Sequence, residues 1–403
     1  MSTGDPALAD HIRDTIRNRG PQSFAWFMAQ ALYHPQHGYY SSGRAAIGRR
    51  GDYFTNVSVG PLFGQLLAAQ FAEMWERLSN SDRAEADFQQ RIDNPEIIGV
   101  REPFWDFIIV EQGAHHGEFA RDLLEASRAV LPEFFQAIRY LIIEPFPILQ
   151  DRQSETLCEF EEKVSWKKSL TEVDPFVGVH FSNELLDSLP VHVIASTGRG
   201  WREKFVAIER DKFVFVDQAI VDPALKARVA LLPERPAGYE TEVNLAVLDW
   251  IDNVSARLIR GYVIAIDYGF ERGEFYARHR TAGTLQVRAQ HRRLASPLEQ
   301  IGQADISAHV DWTSLTEHAE RSGLRVQGFT DQHHFITGIL SELLREEVEK
   351  TADAKAKRAL QTLLHPEMLG RAFQVLALEK DVDRAVLLAG FKFARDARAP
   401  LSI

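Results

Sequence analysis

From residue 104 onward the chain alternates short apolar segments with longer amphipathic ones, and this alternation constrains the fold more than any other feature. The apolar segments that predict core strands are FWDFIIV, RYLIIEPF, FVGVHF and GYVIAIDYG. Segments with helical spacing of their apolar residues, each roughly 10–18 residues long, lie between them. The same patterns predict helices over 147–164, 239–259 and 382–389 and a strand over 325–336. Strands separated in this way form βαβ units, whose strands are parallel. The sequence therefore predicts an α/β fold around a mostly parallel sheet.

Other segments add to that sheet. GWREKFVAIERDKFVFVDQ alternates at period two around Arg210-Asp211, which predicts a two-residue hairpin and an antiparallel addition. Residues 5–19 and 23–33 have helical spacing, and a long Gly-, Tyr- and Ser-rich stretch follows them. Loops of that length in compact chains are usually functional. Residues 270–310 are polar and rich in Arg and His, which indicates an insertion at the carboxyl end of a strand.

These patterns divide the chain into three predicted regions. Residues 1–100 form a helical cap that contains the long loop. Residues 101–335 hold the sheet and the insertion, and residues 336–403 contribute further helices and a last strand, RAFQVLALEK, that completes the core.

Composition and charge limit the partners. The 403 residues carry a formal net charge of −11, so general binding to nucleic acid is not expected. A basic protein segment or a cationic small molecule suits the negative electrostatic field of the protein better. No apolar run approaches the ~20 residues that span a bilayer, so membrane insertion is not expected either. The N-terminal stretch MSTGDPALADHIRDTIRNRG is charged and lacks an apolar signal core, which predicts a cytoplasmic protein. The oligomeric state stays open, a homodimer included.

Polar residues lie at the predicted ends of three strands. In open parallel sheets, ligands bind beyond the carboxyl ends of the strands. The segments that reach this edge are Glu111-Gln112-Gly113-Ala114-His115-His116-Gly117, then Glu144, then Asn183-Glu184-Leu185-Leu186-Asp187. The sequence therefore predicts a ligand site built from these segments.

The glycine turn after the first strand is compatible with a nucleoside ligand. Gly113 and Gly117 allow a tight turn, and the helix that follows directs free N–H groups at a ligand. Glu144 ends the next strand, where an acid accepts hydrogen bonds from a ribose diol. A purely structural turn produces the same glycine pair, and an NAD-dependent dehydrogenase shares both the turn and the acid, so these residues alone leave the ligand open.

Several ordered motifs resemble one known family. They are GDYFTNVSVGPLFG at 51–64, NELLDSLPVHV at 183–193, GYVIAIDYG at 261–269, GTLQVRAQHR at 283–292 and ADISAHVDWTSL at 304–315. Together they make the chain similar to the MidA-like S-adenosylmethionine-dependent methyltransferases, whose mitochondrial members assist complex I assembly by methylating an arginine of a subunit. The resemblance spans nearly the whole chain. It implies a Rossmann-like class I methyltransferase sheet with a helical N-terminal cap and insertions, S-adenosylmethionine as cofactor, and a protein substrate, with a respiratory-complex subunit as one candidate.

The resemblance also assigns residues to the cofactor. By this resemblance the cofactor-binding residues are Glu111, Gly113, Gly117, Glu144, Gly51, Asp52 and Thr55. The first three belong to the glycine turn and Glu144 takes the role of the ribose acid. The last three lie in the N-terminal motif that closes over the cofactor.

The family's Asn-Glu pair corresponds to Asn183 and Glu184, with Asp187 one turn later. Methyl transfer to arginine requires that a guanidinium with a pKa above ~12 be held and lose a proton. Carboxylates match its fork of donors, so Glu184 is expected to hold the acceptor, with Asp187 second and Asn183 beside them. The same three residues also suit the start of a helix, as N-cap and first-turn acids.

His115 departs from the family pattern, which has glycine at that position. A histidine costs on the order of 1 kcal/mol if the turn requires a left-handed conformation, and its ring takes space near the methionine part of the cofactor. Two hypotheses follow: an active protein arginine methyltransferase whose loop accommodates the ring, or a catalytically silent assembly protein that has kept the fold. The other motif residues are retained, which favours the enzyme.

Two further clusters stand in the insertion. Asp305, His309 and Asp311 have a spacing compatible with metal ligands, but methyl transfer needs no metal and none is predicted. His291-Arg292-Arg293 either recognises an acidic segment of a substrate or forms part of an ordinary charged surface.

Overall fold

A central sheet of eight strands dominates the computed structural model. The structure describes residues 4–44, 56–93, 106–289, 292–343, 354–382, 387–394, 396 and 398–401. The side chains of residues 81–93, 367, 399 and 400 are not described. The helices are α1 (Pro6–Arg19), α2 (Phe24–Tyr33), α3 (Leu62–Asp93), α4 (Glu118–Val130), α5 (Pro132–Ala137), α6 (Pro147–Thr156), α7 (Pro223–Val229), α8 (Ala246–Arg257), α9 (Arg272–Phe275), α10 (Trp312–Arg321), α11 (Gln332–Glu342), α12 (Ala354–Leu364) and α13 (Arg398–Leu401). The strands are β1 (Gln22–Ser23), β2 (Phe107–Gln112), β3 (Ile138–Ile143), β4 (Val164–Lys167), β5 (Phe176–Asn183), β6 (His192–Ser196), β7 (Trp201–Glu209), β8 (Lys212–Gln218), β9 (Glu240–Val243), β10 (Leu258–Phe270), β11 (Gln286–Ala289), β12 (Arg292–Arg293), β13 (Asp305–Ser307), β14 (Val310–Asp311), β15 (Arg325–Asp331) and β16 (Phe373–Lys380).

The strand order of the central sheet is β15-β16-β10-β5-β2-β3-β4, with β14 paired to β10. Strands β10, β5, β2, β3 and β4 are parallel to one another, whereas β16 runs antiparallel to both β10 and β15. The predicted α/β sheet, mostly parallel with antiparallel additions, is confirmed.

The order reverses between β2 and β5. After β2 the chain continues to β3 on one side, and it returns to form β5 on the other side of β2. The helices that leave these strands therefore diverge, and a crevice opens at the carboxyl ends. The three predicted polar segments follow β2, β3 and β5, so the topology brings them to this crevice.

Helices cover both faces of the sheet. On one face, α3, α4 and α11 contribute residues such as Phe71, Leu123 and Phe335, all buried in one apolar cluster. On the other face, α8 and α10 contribute Ile251 and Leu315 to a second cluster. Removing this much apolar surface from water is the main stabilising term for the fold. Among the described helices, none is long and apolar enough to cross a membrane.

Two antiparallel sheets lie beside the central one. The order of the first is β1-β7-β6-β9, with β8 paired to β7, and that of the second is β12-β11-β13. Helices α1 and α2 pack in a cluster with residues from both of these sheets. The predicted hairpin at Arg210-Asp211 is confirmed, with φ of 48° and 63°, as a turn with two left-handed residues requires.

Some local predictions were wrong. The helix predicted over 147–164 ends at Thr156, and β4 begins at Val164, because a four-residue strand has too few residues to show a period. The helix predicted over 239–259 is β9 followed by α8, and the strand predicted over 325–336 ends at Asp331, whose side chain caps α11. In the described part of the predicted helix 382–389, residues 382, 387 and 388 are not helical and a 3-10 turn starts at Ala389.

The three-region division stays a prediction. The boundary at 100/101 lies outside the described residues, and the boundary at 335/336 falls inside α11.

Candidate active site

A cavity of about 880 Å³ lies at the point where the strand order reverses. Residues from all three predicted segments line it, among them Glu111, Gly113, Glu144, Asn183 and Glu184. Sites for cofactors and other small molecules are typically ~300–1,000 Å³ in volume. The cavity therefore has room for a ligand of nucleoside-containing size.

The turn after β2 has the backbone that a close ligand approach requires. Gly113 and Gly117 have φ of 86° and 84°, in the left-handed region that favours glycine. His115, between them, has φ of 48°, so the expected left-handed conformation is present at a residue with a side chain. The cost is on the order of 1 kcal/mol, and the turn still closes with Gly117 N–H donating to Ala114 O at 2.8 Å.

Glu111 is buried at the end of β2 and accepts a hydrogen bond from the Tyr140 hydroxyl at 2.8 Å. Burial raises the pKa of Glu111 to about 8, although the bond from Tyr140 acts in the opposite direction. Its carboxyl group is therefore mostly protonated at neutral pH in the absence of a ligand, and it can donate as well as accept.

Glu144 is held by a buried glutamine. The Gln153 amide donates to Glu144 Oε2 at 3.1 Å and to His115 O at 2.9 Å, and its oxygen accepts from Trp166 Nε1 at 2.9 Å. Gln153 is fully buried. Its three hydrogen bonds connect the end of β3, the turn after β2 and the edge strand β4. Burial raises the pKa of Glu144 to about 7.

The rings of His115 and His116 stack on one another with centroids 3.7 Å apart. Arg152 donates to His116 Nε2 at 3.1 Å, so this nitrogen carries a lone pair and the proton of the neutral ring is on Nδ1, which faces Glu118 at 3.8 Å. Burial, His115 and Arg152 lower the pKa of His116 to about 4, which keeps the ring neutral.

His115, His116 and Glu118 also bring donor atoms of the kind that bind metals within 4.8 Å of one another. A metal on His116 Nδ1 would put the ring proton on Nε2, where it would face the N–H of Arg152 and break that hydrogen bond. The hydrogen bonding accounts for this cluster better than a cation does.

Asn183 is the last residue of β5, and Glu184 follows it in an unusual conformation. Glu184 has φ of 54°, its N–H donates to Ile266 O at 2.9 Å, and Asn183 Nδ2 donates to its carboxylate at 3.1 Å. Left-handed backbone at a non-glycine residue costs on the order of 1–3 kcal/mol and concentrates at functional sites. Burial and the nearby Asp267 raise the pKa of Glu184 to about 8.

The alternative interpretation of these residues as a helix start is wrong. Only a 3-10 turn over Leu186–Ser188 follows β5, and Leu185 at its N-cap position has no side chain that accepts a hydrogen bond. Asp267, at the end of β10, takes that place: it accepts from Leu186 N–H at 2.7 Å and from Asp187 N–H at 3.3 Å.

A second pocket, of about 70 Å³, adjoins the cofactor-sized cavity, and Tyr40 and Glu184 line both. Asp187, Tyr268 and Asp305 line the smaller pocket as well. Burial raises the pKa of Asp187, and the negative charges of Asp267, Asp305 and Glu184 raise it further. The small pocket is therefore a narrow acidic space suited to a cationic group.

The N-terminal motif reaches the same place, although Gly51, Asp52 and Thr55 lie outside the described residues. The next residue of that motif, Asn56, is buried and donates from Nδ2 to Asn183 Oδ1 at 2.8 Å. Its backbone N–H also bonds to Glu184. Residue 56 thus contacts the Asn-Glu pair directly.

Sequence reasoning missed four residues of this site: Asn56, Tyr40, Asp267 and Asp305. The sequence could have indicated Asp267, because it is the one acid in the apolar segment GYVIAIDYG. That segment ends at the edge of the sheet where ligands bind. In the sequence, Asp305 stands out only for its metal-compatible spacing with His309 and Asp311. The structure separates that set, because Asp311 caps α10 while Asp305 accepts from the Tyr40 hydroxyl at 2.7 Å.

Comparisons with known proteins agree with this geometry. A family model for S-adenosyl-L-methionine-dependent methyltransferases matches residues 66–330. The mitochondrial protein arginine methyltransferase NDUFAF7 of Mus musculus is 26% identical, over 91% of this chain and 83% of its own, and that of Homo sapiens is 25% identical, over 96% and 86%. A Burkholderia thailandensis protein solved with S-adenosyl-homocysteine is 30% identical over 97% of this chain and 96% of its own, with a TM-score of 0.81.

The chain belongs to this family of S-adenosyl-L-methionine-dependent methyltransferases. Its cofactor is S-adenosylmethionine. The cavity at the point where the strand order reverses fits that molecule, because a glycine turn and strand-end acids line it. The hypothesis of a silent assembly protein is not favoured, because His115 borders the cavity without closing it. The dehydrogenase alternative has no support from these relatives.

The prediction of a cytoplasmic protein is contradicted, since the Drosophila melanogaster, mouse and human relatives are all mitochondrial. The prediction rested on the missing apolar signal core, and that feature does not bear on mitochondria, whose targeting segments are amphipathic rather than apolar.

Proposed function

We propose that the protein transfers the methyl group of S-adenosylmethionine to an arginine side chain of a protein partner. The observation that carries this proposal is the acidic pocket of about 70 Å³ that adjoins the cofactor cavity and shares Glu184 with it. The names of the mouse and human relatives, both protein arginine methyltransferases, support the same acceptor. A respiratory-complex subunit is one candidate for the partner.

In this proposal Glu184 holds the guanidinium, Asp187 is the second acid, and Asn183 positions Glu184. The Asn183 amide donates to Glu184 and accepts from Asn56, so the carboxylate has a fixed orientation. A guanidinium gives two parallel N–H bonds to a carboxylate, which defines the direction of its nitrogen lone pair. Holding that nitrogen in line with the methyl carbon supplies much of the acceleration.

Glu184 and Asp187 also act as bases for the proton that the arginine loses during methylation. When bound, the cofactor supplies an electrophilic methyl group on sulfur. An arginine nitrogen that took this methyl group from sulfur would become acidic and would have to release a proton to a nearby carboxylate. Glu184 and Asp187 have raised pKa values, so either carboxylate is a better base than an exposed one.

On the cofactor side we assign Glu111, Gly113 and Gly117 to the turn that receives the methionine part and Glu144 to the ribose diol. Glu144 Oε1 accepts from Phe146 N–H at 3.0 Å and Oε2 accepts from Gln153, so both oxygens have set directions. Gly51, Asp52 and Thr55 are assigned to the same cofactor by the resemblance alone.

The experiment incubates the protein with methyl-labelled S-adenosylmethionine and a cell extract, then separates protein from small molecules. Acid hydrolysis of the labelled protein identifies the methylated amino acid. We expect label in methylarginine, and none in a matched reaction without the enzyme. Label only in methyllysine, or only in the small-molecule fraction, would refute the arginine assignment while leaving the methyltransferase class intact.

A further inference from the structure

The small antiparallel sheet of the 270–310 insertion carries a row of charged residues that leads away from the acidic pocket. In this sheet Arg288 of β11 lies directly opposite Asp305 of β13 on one side and Arg293 of β12 on the other. Residues directly opposite one another point to the same face. The row therefore runs from an acid to two arginines across three strands.

That face of the sheet is a wall of the acidic pocket. Gln286, Arg288, Asp305 and Ser307 line the pocket, and they alternate with Val287 and Ile306, which are buried on the opposite face. Asp305 is almost fully buried at the pocket, whereas Arg288 and Arg293 are exposed. We call Arg288 and Arg293 the rim arginines.

Asp305 faces Arg288 across the sheet, but Asp305 is buried at the pocket and forms no salt bridge with Arg288. Arg288 donates to Gln286 Oε1 at 2.8 Å, and neither rim arginine lies within ion-pair distance of an acid in the part of the chain that the structure describes. Like charges directly opposite on a sheet are destabilising. They also form a positive patch on a chain of net charge −11, so the local field opposes that of the whole molecule.

We propose that the rim arginines bind an acidic segment of the protein substrate, next to the residue that enters the pocket. Neighbouring strands lie about 4.8 Å apart, so Arg293 is about 10 Å from Asp305 along the row. An extended peptide advances about 3.3 Å per residue. The aspartates or glutamates that the patch recognises therefore lie within about three residues of the methylated side chain. This inference rests on the proposed function, and it specifies that the methylated arginine of the substrate has acidic residues close to it in sequence.

The test uses two labelled peptides and the 403-residue protein saturated with S-adenosylhomocysteine. Each peptide is glycine-rich and has a single arginine, flanked on both sides by aspartates in one peptide and by asparagines in the other. Fluorescence anisotropy measures binding. We expect the aspartate peptide to bind about three- to tenfold more tightly, from exposed ion pairs of modest strength, with a difference that shrinks as salt is added.

Arg293→Glu is the diagnostic variant, since Arg293 lies one strand outside the pocket wall. It should abolish the preference for aspartate and leave binding of the asparagine peptide unchanged. Arg199→Glu, at the exposed turn between β6 and β7, makes the same change in net charge away from the patch and should keep the preference. If the arginines only protect a sheet edge, Arg293→Glu keeps the preference too, and the inference is wrong.

Other outcomes separate this inference from the proposed function. Equal binding, or no binding, of both peptides by the protein with S-adenosylhomocysteine bound overturns the docking of an acidic segment. A short RNA that binds more tightly than the aspartate peptide also overturns it in favour of a nucleic-acid surface. Failure to bind S-adenosylhomocysteine in calorimetry instead contradicts the methyltransferase assignment itself.

Discussion

At the scale of single residues, Glu184 combines a strained backbone with a raised pKa and a place in both pockets. Glu184→Gln keeps the shape and removes the charge, so the guanidinium loses a charge-assisted bond worth ~1.5–3 kcal/mol. We expect kcat/KM to fall roughly ten- to a hundredfold while calorimetry shows unchanged binding of S-adenosylhomocysteine. Glu133→Gln, an exposed change on α5, is the matched control. Equal loss of transfer and cofactor binding would assign Glu184 to the cofactor instead.

His115 is the second residue with a testable conformation. His115→Gly removes a left-handed strain of about 1 kcal/mol, and the added freedom of the unfolded chain offsets most of that gain. We expect the free energy of unfolding in urea to change by less than about 1 kcal/mol and cofactor affinity to stay within about threefold. Cofactor binding that appears only after the substitution would mean that the natural ring blocks the cleft.

At the scale of elements, Gln153 of α6 forms hydrogen bonds with residues at the ends of three strands, and its loss should destabilise all three contacts. Gln153→Leu leaves Glu144 Oε2, His115 O and Trp166 Nε1 without the partner that Gln153 supplies, at ~1–3 kcal/mol each. We expect a loss of at least about 3 kcal/mol in the free energy of unfolding and weaker binding of S-adenosylhomocysteine.

Ser154→Leu, on the exposed side of the same helix, controls for the added apolar side chain. Trp166→Phe removes one donor of the network and should cost about 1 kcal/mol of stability with little effect on affinity. Intact affinity in Gln153→Leu would show that Glu144 keeps its orientation without the glutamine.

The sequence predicted the part of this arrangement that follows from strand direction. Glu111, Glu144 and Asn183 meet because parallel strands end at one edge, and that rule needs only the order of the elements. Asp305 and Tyr40 reach the pocket from an insertion and from the N-terminal region, and their contact joins residues 265 positions apart. No local period encodes such a contact. The short strand β4 and the turn after β5 were missed because their geometry depends on tertiary partners such as Asp267.

At the scale of the whole molecule, buried acids set the dependence of stability on pH. Burial raises the pKa values of Glu111 and Glu184 to about 8 and those of Glu144 and Asp267 to about 7. In each case the folded state keeps a proton that the unfolded chain loses above its ordinary pKa. Stability therefore falls as pH rises toward these values, by at most about 1.4 kcal/mol per pH unit and group.

Buried histidines act in the opposite direction below pH 6.5. Burial lowers the pKa of His180 to about 3 and that of His309 to about 4, so acid protonates these rings mainly in the unfolded chain and stability rises with pH up to about 6.5. Between about pH 6.5 and 8 only the acids contribute. We expect the free energy of unfolding in urea to fall across that interval, and a flat dependence would show that the acids are already ionised in the folded protein.

Methyl transfer should have the opposite dependence on pH over the same interval. Glu184 binds a guanidinium only when it is ionised, and without the acceptor its pKa is about 8. Because kcat/KM reports the free enzyme, its value should rise from about pH 6.5 to about pH 8.5 and then level off. Initial rates with an acceptor protein identified in the labelling experiment, at fixed ionic strength, measure this profile. A flat profile would mean that Glu184 is already ionised at neutral pH, and a falling one would show that a protonated group acts in transfer.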